Sequence, residues 1–187
     1  SVNLGIANAH VLASQEINLA RTCSGGNCPV SVSSWWGGDP FFHGSKLVDG
    51  DLSSANTFQS AVENNPWVRI DMQTTVYVRR VRIYNRGDCC QWRLDNFEIR
   101  IGNDPTFRNN AVCVTAQPTF SDFKDFTCVM SGRYISLQVL HHDGHLMFRE
   151  FEVYGTKLDL DPNLYMCRIC QRNMATNNTG SNVCSAC

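Results

Sequence analysis

The sequence predicts an all-β protein, an antiparallel sandwich or barrel with long loops at one end and a short cysteine-rich tail. Three observations predict it. Apolar residues recur with period two in several short runs, no stretch carries the 3.6-residue period of an amphipathic helix, and turn-forming residues punctuate the runs.

Taken in order, residues 2–14 read as an extended segment leading into the first domain. A loop-rich stretch follows over about residues 16–43, with Gly25-Gly26, Gly37-Gly38 and Asp39-Pro40 as turn signals. Cys23 and Cys28 are spaced to close a small local loop, and Trp35-Trp36 and Phe41-Phe42 flank the second glycine pair. Such aromatics form either the loop's own small core or a ligand platform. Strand patterns begin near residue 64. Trp67-Val68-Arg69-Ile70-Asp71 is the first, and residues 76–84 follow, where Val78 falls out of register with Val81 and Ile83. Phe97, Ile99 and Ile101 alternate with Glu98 and Arg100, Ile135, Leu137 and Val139 with Ser136 and Gln138, and Phe151 and Val153 with Glu150 and Glu152. This is the signature of half-buried strands. The pattern stops at Gly155, and residues 156–162 read as a linker. The expected division is therefore a β domain over residues 1–157 and a tail over residues 158–187.

The 187 residues carry 16 basic and 17 acidic side chains, a net charge of −1, so there is no basic field to draw nucleic acid or an anionic membrane. No apolar run approaches the roughly 20 residues needed to span a bilayer. Ten cysteines point to an oxidising compartment. Together with Ser1 in place of an initiator methionine, they lead us to expect a secreted protein whose signal peptide has been removed. The tail pairs Cys167 with Cys170 and Cys184 with Cys187 in CxxC spacing, compatible with disulfides or with a small Zn2+ knuckle. Between the pairs, Asn177-Asn178-Thr179 is an N-glycosylation sequon on Asn177.

The most informative stretch is Asn85-Arg86-Gly87-Asp88-Cys89-Cys90-Gln91-Trp92-Arg93. Adjacent cysteines can pair with each other in a strained ring of the kind that sits at functional sites, or each can bridge to a distant cysteine. A ring would offer an apolar sulfur face between two guanidinium forks, which suits a deoxy sugar with adjacent hydroxyls. Arg86-Gly87-Asp88 also spells an integrin-binding triplet, a pattern that arises often by chance. His141-His142-Asp143-Gly144-His145 reads as a hairpin tip rather than a metal or base cluster. No arrangement of nucleophile and base stands out, and the protein is not expected to be an enzyme.

These residues, with the upstream Asn65-Pro66-Trp67-Val68-Arg69-Ile70-Asp71 and the downstream Gly132-Arg133-Tyr134, resemble the F-type lectins, the fucose-binding family that shares its jelly-roll sandwich with discoidin domains. The resemblance runs from about residue 2 to Gly155, with an insertion at about 16–43. It implies that Arg86 and Arg93 bind a sugar's oxygens, that Cys89 and Cys90 form a vicinal disulfide against its apolar edge, and that Asp88 orders the pocket. Glu63 falls where the family has a sugar-binding histidine, and His43 is a conceivable substitute. The resemblance further implies a structural Ca2+ held by the carbonyls of Lys46 and Arg149 with Asp49, Asp51, Ser60 and Glu150, a hard-oxygen set. It pairs Cys113 with Cys128. A second family bridge would need cysteines at Ala61 and Arg149, and both are absent together.

The expectation is a secreted lectin for fucose or a related terminal sugar on glycans or glycoproteins, with clustering into a homo-oligomer to raise avidity. The alternative is a discoidin-like adhesion module that binds protein without sugar.

Overall fold

The computed structural model describes residues 16–140 and 144–158. The N-terminal segment, His141, His142, Asp143 and the tail with its cysteines and sequon lie outside the described residues. After a 3-10 turn at Leu19–Arg21, the strands are β1 (Val30–Val32), β2 (Phe58–Gln59), β3 (Trp67–Tyr84), β4 (Phe97–Gly102), β5 (Ala111–Gln117), β6 (Phe123–Val139), β7 (Met147–Phe148) and β8 (Glu150–Lys157). All pairings are antiparallel, in the order β1-β3-β6-β4-β5, with β8 added to β3 and a separate β2-β7 pair. The result is a jelly roll.

β3 joins the two layers. Val68, Ile70, Met72, Val76 and Val78 are buried in one phase and Val81 and Ile83 in the other. Since side chains alternate faces, keeping both sets inward requires an extra residue, and the ladders to β6 and β8 shift register between Val78 and Arg80. The slip seen in the sequence is this bulge. A second irregularity between Asp71 and Val76, where Gln73 takes φ 61°, is where β3 passes from its β1 side to its β8 side. Arg133 pins that corner, donating from Nε and Nη2 to the two Asp71 oxygens at 2.7 and 2.8 Å. The pairing holds the Asp71 carboxyl below its usual pKa.

Phe97, Phe120 and Phe126 meet edge to face with centroids 5.8–6.3 Å apart, and Phe148 contacts both Phe58 and Phe151. Disulfides join Cys23 to Cys28 and Cys113 to Cys128, the latter tying β5 to β6. β8 continues to Lys157, beyond the expected stop at Gly155. Gly155 faces Val78 at the bulge, where an added Cβ would lie 1.9 Å from the Tyr77 carbonyl oxygen. Gly155→Ala is therefore expected to lower unfolding stability by about 1–3 kcal/mol, read by urea denaturation. An unchanged midpoint would mean that the strands separate at no cost.

The loop-rich stretch is more ordered than expected. β1 lies inside it, pairing Val30 with Ile70 and Val32 with Val68. Short 3-10 turns at Trp36–Gly38, Pro40–Phe42 and Gly44–Val48 follow.

Candidate functional site

The end of β3 delivers Arg86, and the 3-10 turn Gln91–Arg93 delivers Arg93. Asn85 is fully buried beneath them. Its amide donates to the carbonyls of Phe120 and Gln91, and its Oδ1 accepts from the Arg86 N–H at 2.8 Å, so one asparagine shapes the loop. The two guanidinium groups converge. Arg86 Nη1 lies 3.0 Å and Arg93 Nη1 3.2 Å from the Met147 sulfur, and Arg93 Nη1 also reaches Gln59 Oε1 at 3.5 Å. Arg93 has no carboxylate partner among the described residues.

Asp88 grips Arg86, accepting from its Nε at 2.8 Å and from Nη2. This fork holds the Asp88 carboxyl far below its usual range and raises the pKa of Arg86. Asp88 is thus a fixed anion and a poor proton donor. The pairing also turns the Arg86-Gly87-Asp88 triplet in on itself, which does not suit presentation of both charges to a protein partner. An open pocket of about 380 Å3 lies beside Arg86 and Asp88, lined also by Gln59, Met147, Phe41 and Phe42.

Several expectations need correction. Among the described residues Cys89 and Cys90 are free thiols, Cys89 exposed and Cys90 half-buried, so the vicinal ring is not formed in this structure. Instead Cys90 takes the left-handed conformation (φ 62°) and caps the Gln91–Arg93 turn. Its side chain hydrogen-bonds Cys89 and raises the Cys89 pKa. Glu63 is not among the arginines' contacts. Its carboxylate accepts from the hydroxyls of Ser33 (2.7 Å) and Ser34, and its N–H donates to the Gly144 carbonyl, so the 16–43 stretch has captured it. The histidine on the arginine side is His145, whose Nδ1 lies 3.5 Å from Gln59 Nε2 and whose ring meets Trp36. His43 caps the Gly44–Val48 turn through Ser45. Gln59 and Met147 escaped sequence reading because β2 and β7 are two residues long, too short for any periodicity to show.

The oxygen cluster forms around Asp49. Its Oδ1 accepts from the N–H of Asp51 (2.9 Å), and both its oxygens accept from the Asn56 amide, which also reaches the Asp51 carbonyl at 3.0 Å. Glu150 is fully buried nearby, with Oε1 accepting from the Gly50 N–H at 3.1 Å. Two buried oxygens in this cluster have no partner among the described residues, Asn56 Oδ1 and Glu150 Oε2. Burial first, and Asp49 second, push the Glu150 pKa up to about 8. Orphaned oxygens beside a crowded carboxylate pair form a hard-oxygen donor set of the kind calcium takes. No three acidic, histidine or cysteine side chains converge among the described residues, so amide and carbonyl oxygens would complete the shell.

Ser60 does not join the cluster. The β2-β7 ladder pairs Phe58 with Phe148 and sets the Ser60 N–H on the Leu146 carbonyl, while the Ser60 hydroxyl bonds the Ala61 carbonyl and the Leu146 N–H. Antiparallel register thus carries Ser60 away from Glu150 and brings Asn56 toward it. Asp51 spends its side chain on the Ser53 N–H and has its carbonyl at the cluster. Lys46 points its ammonium over the Phe41 ring. Arg149 bonds three loops at once: Nε to the Asn85 carbonyl (2.6 Å), Nη1 to the Leu52 carbonyl (2.8 Å) and Nη2 to Asp122 Oδ1 (3.1 Å).

Residues 46–137 match a family described as a NedA-like, galactose-binding domain of the F5/F8 type C kind. A pentraxin fusion protein of Xenopus laevis is 30% identical over 124 residues, covering 62% of this chain and 30% of that protein. Fucolectin-6 of Anguilla japonica is 32% identical over 105 residues, covering 53% of this chain and 56% of that protein. The chain spans about half the length of the curated fucolectins it matches. Among solved structures, the serum F-lectin of Morone saxatilis superposes with TM-score 0.64 at 25% identity, over 79% of this chain and 49% of that one. The lectin domain of lectinolysin, solved with Lewis B antigen, superposes with TM-score 0.60 at 25% identity, over 75% and 97%. In the sequence of its β region and in its jelly-roll fold, this chain is similar to the F-type lectins (fucolectins).

Proposed function

We propose that this chain is a secreted, non-enzymatic lectin that binds fucose or a related terminal sugar, with a structural Ca2+ at the Asp49 and Glu150 cluster. The observation that carries the reading is the convergence of Arg86 and Arg93 on one spot, with Arg93 free of any acidic partner among the described residues. Two planar forks aimed at one place supply the paired donors that adjacent sugar hydroxyls and a ring oxygen accept. Asp88 keeps Arg86 oriented, while Cys89 and Cys90 add a sulfur edge to the arginine loop. Gln59 supplies both an acceptor and donors beside Arg93. Phe41 and Phe42 give the pocket an apolar wall of the kind sugar C–H faces pack on. Calcium, when bound, would neutralise the pair formed by buried Glu150 and half-buried Asp49. Asp49, Glu150 and Asn56 would hold it, with the Asp51 carbonyl beside them.

The relatives support the sugar class. Fucolectins carry fucose in their name, and the lectinolysin domain was solved with Lewis B antigen. The test is a glycan array in the presence of Ca2+, followed by competition with free L-fucose. Fucosylated glycans are expected to bind and to be displaced by the monosaccharide. A folded chain that captures no glycan, or whose binding ignores free sugar, sinks the reading in favour of a protein-binding adhesion module.

A further inference from the structure

A second feature lies on the sheet itself, away from the loop pocket. On β3, Val68 and Ile70 point inward, so Trp67 and Arg69 point out. On β6, Ile135, Leu137 and Val139 point inward, so Ser136 and Gln138 point out. The register places Trp67 beside Gln138 and Arg69 beside Ser136, with Glu98 and Arg100 of β4 completing the two rows. An outward face carrying these polar residues should be solvated. Yet Ser136 is 1% exposed, Glu98 5% and Gln138 9%.

The cover is the 103–110 loop, folded back over the face. Arg100 Nη1 donates to the Asn110 carbonyl at 2.9 Å, Arg69 Nη1 donates to the Pro105 carbonyl, and Phe107 sits under the Arg100 guanidinium. Between loop and sheet remains a pocket of about 310 Å3, lined by Trp67, Arg69, Phe107, Arg108, Ser136 and Gln138, none of which belongs to the loop pocket.

Its floor is unsatisfied. Six buried side-chain polar atoms have no hydrogen-bond partner among the described residues, and three of them, Arg69 Nε, Ser136 Oγ and Gln138 Oε1, belong to residues that line this pocket. The Gln138 amide N–H already donates to the Asn65 carbonyl at 2.8 Å, so the acceptor is the atom left over. Leaving a buried polar atom unpaired is costly, and folded proteins keep few of them. Two of the remaining three belong to the calcium cluster, so orphaned atoms concentrate where a ligand would satisfy them.

We propose that this roofed face of β3, β6 and β4 is a second ligand site, one that takes a carboxylated sugar ring such as a uronic acid residue. A donor, a hydroxyl and an acceptor side by side match the alternating hydroxyls of a pyranose. Trp67 and Phe107 offer the flat apolar surfaces against which its C–H face packs. The charge points to an acid. Arg69 and Arg108 form no ion pair among the described residues. The nearby acids are engaged: Glu98 takes the Arg100 fork, and Asp104 accepts from the Thr106 N–H and the Asn109 amide. The volume sits at the small end of ligand pockets, about 300–1,000 Å3, which suits one ring rather than a chain. The site is independent of the fucose reading.

The test is titration of the full chain with D-glucuronate, D-glucose and L-fucose, followed by calorimetry. Glucuronate is expected to bind saturably, with glucose about tenfold weaker for lack of the carboxylate. Arg108→Gln should bring glucuronate down to the level of glucose. Ser136→Ala should weaken glucuronate while leaving the melting temperature equal or higher, because it deletes an orphan. Glucuronate binding should survive both saturating L-fucose and the Arg86→Ala/Arg93→Ala variant. No saturable binding by a chain that melts normally would mean that the pocket holds only ordered water, and the proposal would be wrong. Binding that persists in Arg108→Gln and Ser136→Ala, or that vanishes with the loop arginines, would overturn it equally.

Discussion

Replacing Arg86 and Arg93 together by alanine should abolish fucose binding and leave the fold intact. Hydrogen bonds to a charged donor are worth about 1.5–3 kcal/mol each. Each tenfold in affinity is about 1.4 kcal/mol, so losing both forks costs more than about 100-fold. A single weak sugar site has no reserve to absorb that. The fold has little at stake, because the Arg86 partner Asp88 is 42% exposed at its side chain and such surface pairs contribute little to stability. Isothermal titration with L-fucose, run beside thermal melts, reads both quantities. Arg93→Lys should fall between, keeping the charge and losing the planar fork. Undiminished fucose binding by the double variant would move the sugar to another part of the molecule.

The second large effect is pH-dependent stability controlled by Glu150. Its folded pKa, about 8, stands above the ordinary glutamate value of 4.5, so the folded state holds a proton that the unfolded state releases. Stability from this group is therefore fully present below about pH 4.5 and is lost as pH rises through 8. The loss amounts to a few kcal/mol, since one unit corresponds to about 1.4 kcal/mol. A bound cation would reverse the situation by making the carboxylate the favoured form. Melts in a chelator should fall between pH 5 and pH 8.5, whereas melts in saturating Ca2+ should not. At a hundredfold excess over Kd, calcium should add about 2.7 kcal/mol. Glu150→Gln should flatten the chelator profile and remove the response to calcium. If chelator and calcium melts coincide at pH 8.5, the Asp49 and Glu150 cluster is not a cation site.

Much of the fold was legible from local rules. The alternation in β3, β4, β8 and the second half of β6 is a direct readout of which side chains face the core, and the broken phase at Val78 marked the bulge. β5 was not legible, because it lies near the sheet edge and buries only Val114 of its seven residues. β1 was hidden in a stretch rich in turn signals, since three residues are too few to set a period. At the site, Asp49 and Glu150 were expected together only from the family resemblance, while the arginines could be placed because one short motif holds both. Glu63 and Ser60 could not, because both depend on long-range facts: the capture of a carboxylate by two serines some thirty residues away, and the direction in which one two-residue strand runs past another. Register, unlike periodicity, is a property of pairs of segments.

Arg149 ties the loops of Leu52, Asn85 and Asp122 together through one guanidinium. A tie made of hydrogen bonds needs no oxidant to form, and no thiol reagent can open it. The end of the sandwich that carries the arginine pair thus owes this clamp to a single planar ion. Reducing agents should loosen the segments stapled by Cys23 and Cys28 and by Cys113 and Cys128 while leaving this clamp in place.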